Sequence, residues 1–375
     1  MGIPPSTGLK VQRNMTHRKF LRGPVMVGLL LLLVAVLSAC TNPQTTFSPK
    51  SDTAQSIQTL YLLVIVMASI VMVGFFGVLG FALFRFRDRP GRIASQTHGN
   101  TKLEIIWTLL PVAVLIIIGA PALIAVAGSA KAPDEDALHI NVVGHQWWFE
   151  VQYPGMGPED PNNPGERLPL ITANEVHLPV GKQIYVTLES VDVIHSFWIP
   201  QLIGKTDMIP GHPNELQTFT PQEVGVFYGQ CAEFCGTAHS HMRFRAVVES
   251  LGDFNEWAVA LQTPPADPAS ELAAAGQTLF LAKGCAACHT IYGMPGAAGK
   301  MGPNLTLLGD RRTIGAGIVD NTDENLRQWI SNLQEIKPGA LHMPSFGLLP
   351  AENPQHMSDA EIRAVSAFLR GMALN

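Results

Sequence analysis

The chain has 375 residues, 47% hydrophobic and only 15% charged, with a net charge of −5 at pH 7. That is too long for one ordinary domain, and soluble domains carry about 25% charged residues, so part of the chain belongs in lipid. The acidic balance, with no block of Lys and Arg interleaved with aromatics, excludes a basic nucleic-acid binder.

In chain order, Arg13, Arg18, Lys19 and Arg22 precede an apolar run over 25–37. The run is short for a bilayer span and right for the core of a signal peptide. It closes on Leu37-Ser38-Ala39-Cys40, which resembles a bacterial lipobox. The expectation is a signal peptide over 1–39 and a lipid-modified Cys40. A membrane hairpin is expected over 40–136, with spans at 60–83 and 105–127. Both spans are uncharged and long enough to cross ~30 Å of hydrocarbon. The loop between them holds Arg85, Arg87, Arg89, Arg92 and Lys102 against Asp88 and Glu104. Such a basic loop belongs on the cytoplasmic side, so both ends of the hairpin face outward.

Short β-branched and aromatic runs follow at 139–143, 147–153, 183–189, 225–228 and 244–249, bounded by Gly, Pro or Asp. They predict an all-β sandwich or barrel over 137–255. A Pro-rich stretch marks a linker at 262–270, and 271–375 reads as helical. Asp267-Pro268 suits a helix cap, a second helix is predicted over 323–333, and Ser358 with Glu361 fits a capping box opening a third.

The five cysteines, Cys40, Cys231, Cys235, Cys285 and Cys288, fall in separate chemical signatures rather than in a disulfide framework. Between two predicted strands, the stretch from Cys231 through Glu233, Cys235, His239 and His241 to Met242 packs soft donors into one loop. Thiolate, imidazole and thioether are the set that copper prefers over magnesium or calcium. Two thiolates separated by three residues can bridge two ions, and His195, just after a predicted strand, is the obvious second imidazole. A bare Cys-x-x-x-Cys also suits a redox pair or a copper chaperone, but neither uses His239 and Met242. His177, His212 and His241 have no partner pattern and are expected to be ordinary surface or loop histidines.

The stretch 144–242 resembles the copper A domain of cytochrome oxidase subunit II, a cupredoxin-like β-barrel. The resemblance implies a dinuclear copper A centre bridged by Cys231 and Cys235. His195 and His239 each bind one copper, Met242 is a weak ligand, and Glu233 supplies its backbone carbonyl. It further implies that the Glu233 carboxylate reaches a magnesium ion at the subunit I boundary. In Gly144-His145-Gln146-Trp147-Trp148-Phe149, the resemblance makes Trp147 the tryptophan that receives electrons, and Trp148 and Phe149 packing residues. It aligns Glu104 with a glutamate that opens a proton channel; by composition alone, Glu104 is a charge flanking a membrane helix.

Cys285-Ala286-Ala287-Cys288-His289 is the attachment signature of a c-type haem. The thiols add to the vinyl groups and His289 ligates the iron. Met294, Met301, Met343 and Met357, with His342 and His356, are the downstream candidates for the sixth ligand. Met343 lies in a stretch resembling the Met-Pro loop of class I cytochromes c, and Met301 sits too near the attachment site. Thioether ligation raises the haem potential, which suits a donor to copper. Gly276, Phe280 and Phe368 match the helix-crossing positions of that all-α fold.

The whole resembles subunit II of a caa-type haem–copper oxidase with a fused cytochrome c domain. The resemblance implies a multi-pass protein of the bacterial plasma membrane with its copper and haem domains on the outer, periplasmic side. Subunits I and III, membrane lipid and a small redox donor such as a cytochrome c are the implied partners. The resemblance further implies that electrons pass from haem c to copper A and on to subunit I, where oxygen is reduced to water with proton translocation. The electron-receiving subunit of a copper A nitric oxide reductase stays open as an alternative. Nitrous oxide reductase is soluble and does not fit a membrane hairpin, and a lipid-anchored carrier would need no hairpin.

Overall fold

The structure, a computed structural model, describes residues 27, 28, 31, 44–88, 90–91, 98–129, 132–216 and 218–374. The predicted signal peptide, apart from three helical residues, and Cys40 lie outside the described residues. The chain divides into units 1–45 and 46–375, and the second holds everything below.

Helices α1 (Asp52–Arg85) and α2 (Thr101–Ser129) contain the two predicted spans and extend beyond them. Both are apolar around their whole circumference, and side chains such as Phe76, Phe84, Leu110 and Ile116 are exposed. Lipid, rather than protein, is the solvent such surfaces require. Pro111 and Pro121 lie inside α2, as membrane helices tolerate. The extra first turn of α1 is polar for a reason: it is fastened to the β domain. Ser51 caps the helix by accepting from Ala54 N at 3.0 Å and donates to the Leu202 carbonyl. Asp52 Oδ1 accepts from Thr220 N at 2.8 Å, and Thr53 Oγ1 donates to the Thr218 carbonyl at 2.8 Å.

The β domain is built from β1 (Leu138–His145), β2 (Trp148–Tyr153), β3 (Leu170–Ala173), β4 (Glu175–Pro179) and β5 (Ile184–Ser190), followed by β6 (His195–Ile199), β7 (Ile203–Met208), β8 (Asn214–Glu215), β9 (Gly225–Cys231) and β10 (Arg243–Glu249). They form two five-stranded sheets, ordered β3-β2-β1-β5-β8 and β4-β10-β9-β6-β7. Ile140, Phe149, Leu188, Phe197, Phe244 and Val248 belong to one buried core. Helix α3 (Leu251–Ala260), which the sequence did not announce, joins that core through Phe254 and Trp257. Both rings pack on Tyr153, with centroids 6.0 and 5.4 Å away.

The C-terminal region is helical: α4 (Glu271–Ala282), the single turn α5 (Cys285–Cys288), α6 (Asp323–Ser331), α7 (Leu333–Ile336) and α8 (Asp359–Arg370). Ser270, not Asp267, caps α4, its side chain accepting from Ala273 N at 3.1 Å. The helix predicted over 323–333 breaks at Asn332, whose non-helical backbone separates α6 from α7. The capping box of α8 forms as predicted, with Ser358 and Glu361 each accepting from the other's backbone N–H. Helices α4 and α8 cross where Gly276 meets the Ala364 backbone; Phe280 and Phe368 flank the crossing with ring centroids 5.8 Å apart. A side chain at Gly276 would push the helices apart.

Candidate copper and haem centres

The register of the second sheet creates the first site. Strands β6 and β9 run antiparallel with Phe197 opposite Cys231, so His195, at the start of β6, reaches the end of β9. The loop after β9 then folds back through a short turn at His239–His241 before β10 begins. All of this places soft donors in one buried spot. Cys231 Sγ lies 3.8 Å from Cys235 Sγ and 3.9 Å from His195 Nδ1. Cys235 Sγ lies 3.5 Å from His239 Nδ1 and 3.8 Å from Met242 Sδ. The Glu233 carbonyl accepts from Cys231 Sγ at 3.2 Å. Both cysteines are free thiols. The ligand atoms of His195, Cys231 and Cys235 lie within 4.8 Å of one another.

Supporting contacts aim these donors. His195 Nε2 donates to Asp192 Oδ1 at 2.8 Å, which leaves the Nδ1 lone pair facing the sulfurs. Burial opposes the Asp192 charge, but the hydrogen bond from His195 and the backbone N–H groups of Val193 and Gln146 hold its carboxyl below the usual range. Gly144 supplies the room: a Cβ there would stand 2.7 Å from His195 Cδ2. The hydrogen bond from Cys235, with that from His195, holds the Cys231 thiol well below the usual range, and the neighbouring Cys231 sulfur raises Cys235. The donor set therefore fits a pair of copper ions: two thiolates to bridge, two imidazoles and a thioether to cap.

Trp147 is not on a strand, as the aromatic run suggested, but in the turn between β1 and β2. There its indole Nε1 donates to the Cys235 carbonyl at 2.9 Å, a carbonyl that also accepts from Gln146 Nε2 at 2.8 Å. Trp148 and Phe149 are buried packing residues. His177 is no surface histidine: it stacks on Trp257 with ring centroids 4.0 Å apart and lies 2.9 Å from Glu249 Oε1. The Glu233 carboxylate is exposed and accepts from Phe234 N at 3.2 Å. Glu104 lies in the first turn of α2 and accepts from Asn100 N at 3.3 Å.

In the helical region, Cys285 and Cys288 close the one-turn α5 and are free thiols; burial pushes the Cys285 thiol up to about 11. His289 Nδ1 donates to the Pro303 carbonyl at 2.8 Å, leaving Nε2 as the ligating nitrogen. Gly302 lies flat on that ring, since a Cβ there would come within 2.6 Å of Cε1. These residues fit a covalently held haem: two thiols, one oriented imidazole and a glycine cradle behind it. Among the methionines, Met301 is 78% exposed, whereas Met357 and Met294 are locked in the apolar core. Met343 is half-buried at the edge of that core.

Asp192, Gly144, Gln146 and Lys337 escaped the sequence reading. Asp192 had a local signal, a carboxylate three residues before His195. Lys337 had none: its side-chain nitrogen donates to the carbonyl of Trp147, 190 residues away.

Three family models match in succession. They are "Cytochrome C oxidase subunit II, transmembrane domain" over 38–124, "Cytochrome C oxidase subunit II, periplasmic domain" over 138–251 and "Cytochrome c" over 273–373. Cytochrome c oxidase subunit 2 of Alkalihalophilus pseudofirmus is 33% identical over 352 residues, covering 92% of this chain and 95% of that protein. The same subunit of Bacillus subtilis is 30% identical over 366 residues, covering 92% and 97%. The crystal structure of the periplasmic domain of subunit II of cytochrome oxidase from Bradyrhizobium japonicum is 33% identical, covers 35% of this chain and 96% of that one, and has a TM-score of 0.30. Copper-type donors in a β domain, a haem-attachment turn in a helical one and a pair of apolar helices thus coincide with two relatives matched along nearly their full length, and the chain belongs to the cytochrome c oxidase subunit 2 family, as a terminal-oxidase subunit with a fused cytochrome c domain.

Proposed function

We propose that this subunit takes electrons from a small redox donor at its helical domain, hands them to its β domain, and delivers them to subunit I for reduction of oxygen to water coupled to proton translocation. The copper pair and the haem, when bound, each supply a one-electron couple; nothing in this chain makes or breaks a substrate bond. Cys285 and Cys288 would anchor the haem, and His289 and Met343 would hold its iron. Cys231, Cys235, His195, His239 and Met242, with the Glu233 carbonyl, would hold the copper ions. A cage of donors fixed by Asp192 and Gly144 moves little between oxidation states, so little reorganisation opposes transfer. Trp147 hydrogen-bonds the Cys235 backbone and serves as the receiving side chain. The observation that carries the reading is the convergence of two thiols, an imidazole and a thioether from the loop after β9 with the His195 imidazole from β6.

Further assignments rest on the same reading. The exposed Glu233 carboxylate is available to a magnesium ion at the subunit I boundary. Glu104 stands at the cytoplasmic end of α2, where a proton path would open. Subunit III completes the complex, Cys40 carries lipid after removal of the signal peptide, and both metal domains face the outer side of a bacterial plasma membrane. In the purified oxidase, Cys231→Ser should abolish the copper A absorption and oxygen uptake while the haem c stays reducible by its donor. Sustained uptake would refute the order of transfer, and nitric oxide turnover in place of oxygen turnover would reassign the complex.

A further inference from the structure

The loop that carries Met343 does not hang free of the β domain. Lys337, only 3% exposed, donates from its side-chain nitrogen to the carbonyls of Trp147 and Gly315, the latter at 3.3 Å. Two residues on, the Gly339 carbonyl accepts from Thr237 Oγ1 at 3.1 Å. Gly339 has a φ of +84°, and a Cβ there would stand 2.9 Å from Thr237 Cβ, so this close approach needs glycine. Ala340 packs against the core of the β domain, and the His342 ring sits 5.7 Å from that of Trp147. From the other side, Gln334 holds the Gly339 N–H, at 3.0 Å, and the Ala340 carbonyl.

The segment 337–342 is thus held against Thr237, two residues past one proposed copper-binding thiol, and against Trp147, whose indole donates to the Cys235 carbonyl. Burying an amine is costly unless its donors are satisfied, and this one is spent on the carbonyl of Trp147 in the β domain and on that of Gly315 in its own C-terminal domain.

We propose that Lys337 is a positioning residue for electron transfer from haem to copper, fastening the Met343 loop against Trp147 and Thr237. This rests on the functional reading above. The transfer moves one electron and no proton, and no covalent bond forms or breaks. The junction is closed within the chain, so transfer across it needs no second-order encounter and is insensitive to ionic strength, unlike delivery from a soluble donor.

The test uses the assembled oxidase with full-length wild-type chain, Lys337→Met and Thr237→Val, a photoactivated ruthenium complex injecting single electrons into the haem. In Lys337→Met, haem-to-copper transfer slows severalfold, because loosening the junction lengthens the path that the electron must tunnel. The haem potential and both metal absorptions stay at their wild-type values. Thr237→Val, which removes one hydroxyl and keeps the volume, gives a smaller slowing and stands in if Lys337→Met does not accumulate. A second readout needs no electron flow: amide hydrogen exchange of 236–239 and 337–343 rises together in both variants, with or without cofactors. An unchanged rate, a shifted haem potential, or unaltered exchange in the two segments overturns the assignment. If wild-type chain itself passes no electron from haem to copper, the functional reading fails, and exchange still judges the junction.

Discussion

His195 Nε2 lies 2.8 Å from Asp192 Oδ1, a hydrogen bond that spans only three residues and turns the opposite face of the imidazole toward Cys231. The same carboxylate accepts from Gln146 N at 2.6 Å, so one acidic residue holds the ring and the turn that leads into Trp147.

Removing that carboxylate tests how much of the centre is preorganised. Asp192→Ala should leave a folded β domain whose copper affinity falls by about 10–100-fold, the cost of losing a partner that orients a metal-bound imidazole. Competitive titration against a copper chelator measures it. An unchanged affinity would mean that the sulfurs alone orient the site.

Gly144→Ala attacks the same ring from behind. The new Cβ meets His195 Cδ2 at 2.7 Å, and strand pairing of Gly144 with Phe149 leaves β1 little freedom to retreat. The variant should be destabilised by about 1–3 kcal/mol, as overpacked cores are, and should bind copper poorly. Thermal unfolding with metal analysis reads both.

Met343→Ala should lower the haem potential and open the iron to carbon monoxide, because a thioether ligand raises the potential and closes the sixth position. Met301→Ala, at an exposed side chain, should change neither. Reduced spectra with and without carbon monoxide distinguish the two. Were Met301→Ala the variant that binds carbon monoxide, the ligand assignment would move.

Lys337 also sets a pH dependence. Burial pushes its amine down to about 7, against ~10.4 for an unfolded lysine. Between those values the unfolded chain binds the extra proton, so stability rises with pH through this window. Below about 7 the amine is charged in both states and the slope vanishes. Lys337→Met should remove the rise, so the wild-type unfolding midpoint should climb relative to the variant's from pH 7 to 10, as thermal unfolding at a series of pH values would show.

Much of the chemistry was legible because it is local. The Cys285-Ala286-Ala287-Cys288-His289 turn and the loop from Cys231 to Met242 each keep most of their donors within a dozen residues, and short-range spacing survives folding almost unchanged. The Ser358–Glu361 box is legible for the same reason, whereas Asp267 only resembles a cap, because Ser270, three residues on, takes that role. Trp147 reads as a strand residue because three aromatics in a row mimic strand alternation; the turn that holds it is tied to Asp192, far along the chain.

By itself the sequence determined what each segment can do: which stretches prefer lipid, which loop offers soft donors, which turn accepts a haem. Those are properties of composition and near-neighbour spacing. Only the tertiary structure decided which segments meet. The pairing of β6 with β9 brings His195 to Cys231 across 36 residues, and Lys337 reaches Trp147 across 190. Such meetings follow from register and from satisfying buried polar groups, which are settled by the packing of the whole chain rather than by any one stretch of it.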